Sequence, residues 1–113
     1  MQRFVNVAYR ITWTKTARND YFGIIDYLLG KWGRRPAGNF KTKVSKQIEL
    51  ISRMPKLYAK TEARENIRRC IIVKQVSMYY QETEIDEEII IVRFYDNRKD
   101  SSQLNNVLNE SDL

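Results

Sequence analysis

Histidine is absent from this 113-residue chain and cysteine occurs once, at Cys70. Lysine, arginine and tyrosine are then prominent among the side chains that could do chemistry. In one stretch, Ile67 to Arg98, Arg68, Arg69, Lys74, Tyr79, Arg93, Tyr95 and Arg98 are interleaved with apolar residues. Without histidine or paired cysteines the common zinc and non-haem iron sites lack a ligand set, so no metal and no small-molecule cofactor is expected. Arginine and lysine hold anions, and tyrosine stacks on bases or carries a proton. One chemistry for such a surface is to hold phosphates while bases stack on it, as single-stranded nucleic-acid platforms do. The other is capture of an apolar protein segment by the isoleucines interleaved with the charges.

The stretch divides into three runs rich in β-branched and aromatic residues, separated by short polar segments, which predicts a meander of three antiparallel strands. Strand alternation then assigns faces. In the last run Ile90, Val92 and Phe94 fall on the core side, leaving Ile89, Ile91, Arg93 and Tyr95 on the other. In the first, Ile67, Ile71 and Val73 lie opposite Arg68, Cys70, Ile72 and Lys74; in the middle run, Val76, Met78 and Tyr80 alternate with Ser77, Tyr79 and Gln81. If helices cover one side only, the open side is expected to show Arg68, Lys74, Arg93, Tyr79 and Tyr95 beside exposed Ile72, Ile89 and Ile91. The plainer alternative is a set of ordinary strand residues partly covered by the C-terminal tail.

Upstream, Tyr9 to Trp13 alternates as a short strand, and Thr14 or Thr16 suits the cap of a helix. Ala17, Tyr21, Ile24, Ile25, Leu28 and Trp32 form the apolar stripe of that helix, which Gly33 ends. Pro36 fits the first turn of a second helix with Ala37, Phe40, Val44, Ile48 and Ile51 on one face. Lys41, Lys43 and Lys46 lie off that stripe and read as a solvated face, and Pro55 stops the helix. The short connection predicts an antiparallel helix hairpin packed on the sheet.

At 42% hydrophobic content the chain has one core. The expected organisation is an extension over 1–8, a single domain over 9–100 and a polar tail over 101–113, in which Leu104, Val107 and Leu108 are spaced for a short helix. No apolar run approaches the roughly 20 residues of a membrane span, and no signal peptide is recognisable, so a cytoplasmic address without a membrane partner is expected. Charge is uneven: residues 1–75 carry 17 basic and 5 acidic side chains, and 76–113 carry 3 and 9. Glu82, Glu84, Asp86, Glu87 and Glu88 concentrate the acidity in one turn, which repels a polyanion there while the remaining surface attracts one.

The order strand, helix hairpin, three strands resembles the RelE/ParE superfamily of bacterial type II toxin–antitoxin toxins. The likeness covers about residues 9 to 100 and rests on an ordered set of pieces. These are Tyr9-Arg10-Ile11-Thr12-Trp13-Thr14 with Ala17; Ile25-Asp26-Tyr27-Leu28; Trp32-Gly33; Phe40; Ile48 to Pro55; Ile67-Arg68-Arg69; Tyr79-Tyr80; and Phe94-Tyr95-Asp96-Asn97-Arg98-Lys99-Asp100. The resemblance implies an α+β fold with a four-stranded, largely antiparallel sheet and both helices on one face. It also implies a growth inhibitor neutralised by a cognate antitoxin, whose acidic and apolar segment suits the basic charge and Ile72, Ile89 and Ile91. Members resembling RelE cleave messenger RNA on the ribosome, and members resembling ParE poison DNA gyrase.

RNA cleavage through the 2′-hydroxyl needs a base, cations for the phosphorane and an acid for the leaving oxygen. If the chain is such a nuclease, Lys74, Arg93, Tyr79 and Tyr95 are its catalytic candidates, Lys74 as base only with a strongly depressed pKa. Arg68, Arg69, Arg93, Arg98 and Lys99 are the candidates for holding phosphate or a target. Ser77 stands where those nucleases tend to carry a basic residue, and no tyrosine follows Arg98. A ParE-like toxin acting on gyrase by binding is therefore the expectation, ahead of a RelE-like ribosome-dependent endoribonuclease. A non-catalytic interaction protein or inactive toxin is the third reading.

Overall fold

Thr14 links the two ends of the domain. In the computed structural model, which describes residues 8–97 apart from Ala63 and Glu65, its backbone N–H donates to the Ile91 carbonyl (3.0 Å). Its hydroxyl donates to the Val92 carbonyl (2.8 Å) and accepts from the Ala17 N–H (2.9 Å). The residue thus caps the first helix and fastens it to the last strand. The elements in chain order are β1 (Arg10–Trp13), α1 (Lys15–Lys31), α2 (Arg34–Arg53), β2 (Arg68–Val73), β3 (Val76–Thr83) and β4 (Glu88–Asp96). The expected helix-ending glycine, Gly33, has φ of +96°, open to glycine and strained for other residues, and its N–H closes the last turn on the Leu28 carbonyl. Pro36 sits in the first turn of α2, and Met54, just before Pro55, ends it.

The sheet has strand order β1-β4-β3-β2. β2–β3 and β3–β4 are antiparallel hairpins, whereas β1 runs parallel to β4, pairing Arg10 with Glu88 and Trp13 with Ile91. The sheet is therefore mixed, because the helix pair returns the chain to the far end before the meander begins. Ala17, Ile25, Phe40, Val44 and Ile51 from the helices bury against Cys70, Ile72, Met78, Tyr80, Ile89, Ile91 and Phe94 from the sheet. Trp13, Tyr21, Phe40 and Phe94 add a chain of aromatic contacts with centroids 5.2 to 6.1 Å apart. A second, smaller cluster of Ile67, Tyr79, Val92 and Tyr95 lies on the opposite face.

Two bulges overturn the face assignment read from alternation. In β4 the register passes from Tyr79↔Arg93 to Tyr80↔Ile91, so Val92 is an extra residue. Phe94 consequently joins Ile89 and Ile91 on the helix side, while Val92 points away from it. Ile72, Ile89 and Ile91, expected as an exposed patch, are 7%, 0% and 0% exposed beneath the helices. A second shift between Ile71 and Val73 turns Val73 to the helix side and leaves Ile71 exposed. Trp32, expected in the stripe of α1, is 62% exposed. No helix among the described residues is long and apolar enough to cross a membrane. Residues 1–7, Arg98, Lys99 and the tail with Leu104, Val107 and Leu108 lie outside the described residues.

Candidate functional site

Of the residues singled out for chemistry, Arg69, Tyr79 and Tyr95 come together on the helix-free face, whereas Lys74 lies in a turn and Arg93 is engaged by α1. Lys74 lies in the turn between β2 and β3, exposed, with its carbonyl accepting from Asn97 Nδ2 at 3.1 Å. Arg93 lies within β4, against α1. Its Nε and Nη2 donate to the two carboxylate oxygens of Asp20, both at 2.9 Å, and the Phe94 N–H donates to the same carboxylate at 3.1 Å. This bidentate pair is largely buried and occupies the guanidinium face that a phosphate would use. Tyr79 is 1% exposed, and burial is the main cause pushing its hydroxyl above the usual tyrosine range. Tyr95 is also buried.

Arg68, expected on the open side, instead fastens the loop that follows α2. Its Nη1 donates to the Tyr58 carbonyl at 2.7 Å, and its Nε and Nη2 donate to Glu82 Oε1 at 3.3 and 3.1 Å. Nearby, Lys56 pairs with Glu84 at 2.8 Å. Tyr80 donates its hydroxyl proton to the Pro55 carbonyl at 2.9 Å, and burial pushes its pKa up to about 12. Arg69 lies on the helix-free face, where its Nε donates to Ser77 Oγ at 3.0 Å; Ser77 in turn donates to Asn97 Oδ1 at 2.6 Å. Ser77 is fully buried and hydrogen-bonded in both directions, so it serves as a strut rather than a nucleophile.

An open groove of about 880 Å³ lies between α1 and the end of the β3–β4 pair. Asp20 and Arg93 are among its lining residues, and Ile24, Leu28, Tyr27 and Trp32 provide apolar wall. Tyr27 and Trp32 are 58% and 62% exposed, a large aromatic surface for so small a domain. Sequence reading missed this groove. Tyr27 falls off the apolar stripe and Trp32 continues its spacing, and only the tertiary position of the helix end shows that both face solvent. Asp20 was missed as well, since its partner is 73 residues away.

A family model for the ParE toxin of the type II toxin–antitoxin system, parDE, matches residues 11–101. The chain belongs to the ParE toxin family. No curated protein matches it at a significant level. Solved structures do: the chromosomal ParDE toxin–antitoxin system from P. aeruginosa is 18% identical, over 79% of this chain and 96% of that one, with a TM-score of 0.65. The RelBE2 toxin–antitoxin complex from Mycobacterium tuberculosis is 19% identical over 82% and 95%, with a TM-score of 0.57. The isolated E. coli RelE toxin is 12% identical over 90% and 98%, with a TM-score of 0.55. At these identities the likeness is one of fold, and this ParE-family chain shares the two helices and four-stranded sheet with toxins of both kinds.

Proposed function

We propose that this type II toxin inhibits growth as a ParE-like protein, by binding DNA gyrase rather than by catalysis of its own. The observation that carries the reading is the state of the nuclease candidates: Arg93 is engaged by Asp20, Tyr79 is buried, and Lys74 stands apart in a turn. A phosphorane would meet neither a free guanidinium nor a base at those positions. The family match at residues 11–101 supports the same choice. Neutralisation by a cognate antitoxin follows from the same reading. The groove beside α1, with Tyr27 and Trp32 at its wall, offers an apolar segment the contact that Ile72, Ile89 and Ile91 do not.

Induced expression without the antitoxin is expected to arrest growth with double-strand DNA breaks and an SOS response while transcripts stay intact. Codon-phased transcript cuts would instead make the chain a ribosome-dependent nuclease, and unaffected growth would remove both toxin readings. Trp32→Ala and Tyr27→Ala are expected to weaken retention of an antitoxin encoded by the adjacent reading frame.

A further inference from the structure

Four cations on or beside the sheet are held by carboxylates: Arg93 by Asp20, Arg68 by Glu82, Lys56 by Glu84 and Arg10 by Glu88. Arg69, by contrast, donates to Ser77, and Lys74 is exposed in a turn. Among the described residues, the largest run of exposed cations without such a partner is on α2. Arg34, Arg35, Lys41, Lys43 and Lys46 are all exposed, and none forms an ion pair with a described residue. The acidic residue of this helix, Glu49, is taken by Arg53 at 2.8 Å. All five lie off the buried stripe of Ala37, Phe40, Val44 and Ile51. At a rise of about 1.5 Å per residue, Arg34 to Lys46 extends over about 18 Å.

This charge is placed against the stability of the helix that carries it. Arg34 and Arg35 occupy the first turn, the positive end of the helix dipole, where there is no acidic residue and no side-chain cap. Lys43 and Lys46 are like charges three residues apart on one flank. A helix selected only to cover a sheet has no use for such an arrangement. Local rules broken without local compensation concentrate at functional positions.

Charge complementarity names the occupant. We propose that the outer face of α2 is a docking surface for the phosphodiester backbone of duplex DNA, met by Arg34, Arg35, Lys41, Lys43 and Lys46. Duplex DNA carries one negative charge per about 1.7 Å, so an 18 Å face meets on the order of ten phosphates. Between the cations the surface is made of Gly38, Asn39, Thr42 and Ser45, all exposed. Between these cations there is no apolar anchor on which an acidic protein segment could seat itself, the exposed Leu50 and Met54 lying beyond Lys46 toward the helix end, whereas a backbone needs only charge and hydrogen bonds. The surface goes beyond the proposed growth inhibition and does not depend on which target is engaged.

The test titrates the purified full-length protein into fluorescein-labelled 20-base-pair duplexes, one of DNA and one of RNA, and reads anisotropy between 50 and 200 mM NaCl. Expected is tighter binding to the DNA duplex than to the RNA duplex, with log K for DNA falling against log salt at a slope of about −3 to −4.5, as three to five phosphate contacts require. The triple variant Lys41→Gln, Lys43→Gln, Lys46→Gln is expected to reduce the slope by about 2.7 and weaken binding at least tenfold at 100 mM NaCl. The triple variant Arg10→Gln, Arg18→Gln, Lys60→Gln removes the same charge away from α2 and is expected to change affinity less than threefold. Circular dichroism confirms that both variants are folded. Absence of binding to the DNA duplex overturns the proposal, as does equal or tighter binding of the RNA duplex, equal weakening by the two triples or equal competition by polyglutamate of matching charge. Growth arrest without duplex binding overturns this surface alone; duplex binding without growth arrest overturns the toxin reading alone.

Discussion

The carboxylate-bound arginines of the sheet, Arg93 and Arg68, and the unpaired cations along α2 from Arg34 to Lys46 do opposite work. Arg93 and Arg68 lie on strands, their side chains are 19% and 12% exposed, and each is held by a carboxylate that is itself largely buried. They act as fasteners: Arg93 ties β4 to α1, and Arg68 ties β2 to β3 and to the loop after α2. Arg34, Arg35, Lys41, Lys43 and Lys46 of α2 form no ion pair with a described residue and are open to a partner. Residue type therefore does not report function here; the carboxylate alongside does. A guanidinium already matched by an acid has its donors occupied, and a surface ammonium without one keeps them available.

This contrast can be broken or sharpened by stability measurements, beginning with the burial that underlies it. Ile91→Ala removes a fully buried side chain from beneath the helices and is expected to cost about 3–4 kcal/mol, read as a lower urea midpoint. Ile71→Ala, at a residue 55% exposed, is expected to cost less than about 1 kcal/mol; the opposite order would restore the outer-face reading of the isoleucines. Arg93→Ala strands the Asp20 carboxylate with only the Phe94 N–H and is expected to cost about 2–3 kcal/mol, below the range for a fully buried pair because both partners retain some solvent. On α2 the sign should reverse: Arg34→Glu places an acid at the positive helix end and is expected to stabilise by about 0.5–1 kcal/mol in thermal melts at low salt. Lys43→Gln is expected to stay within about 0.5 kcal/mol of the parent. Should it destabilise as much as Arg93→Ala, the distinction between fastener and free cation fails.

Much of the fold is legible in the sequence because its boundaries are written in residues with strong local chemistry. Thr14 caps α1, Gly33 ends it, Pro36 enters α2 and Pro55 follows its end. The sheet faces were not legible. Ile89 to Val92 is apolar at every position, so alternation has nothing to distinguish the sides, and a bulge of one residue then exchanges them. The candidate site suffers the same loss at longer range. A sequence shows that Arg93 is cationic and cannot show that Asp20, 73 residues earlier, is waiting for it. Conversely, the lysines of α2 read as solvent-facing charge, and only the lack of an ion pair with any described residue separates them from the paired cations.

The parallel pairing of β1 with β4 has a consequence for how the protein comes into being. Arg10 finds Glu88 across 78 residues, whereas both hairpins close locally. Closing so long a loop is slow relative to local pairing, and the capping threonine completes its bonds only when the Val92 carbonyl has arrived. A nascent or truncated chain ending before β4 can form its helices but has nowhere to attach its first strand. A cell that makes such a toxin therefore carries, in the topology itself, a delay: the harmful shape exists only once nearly the whole domain has been synthesised.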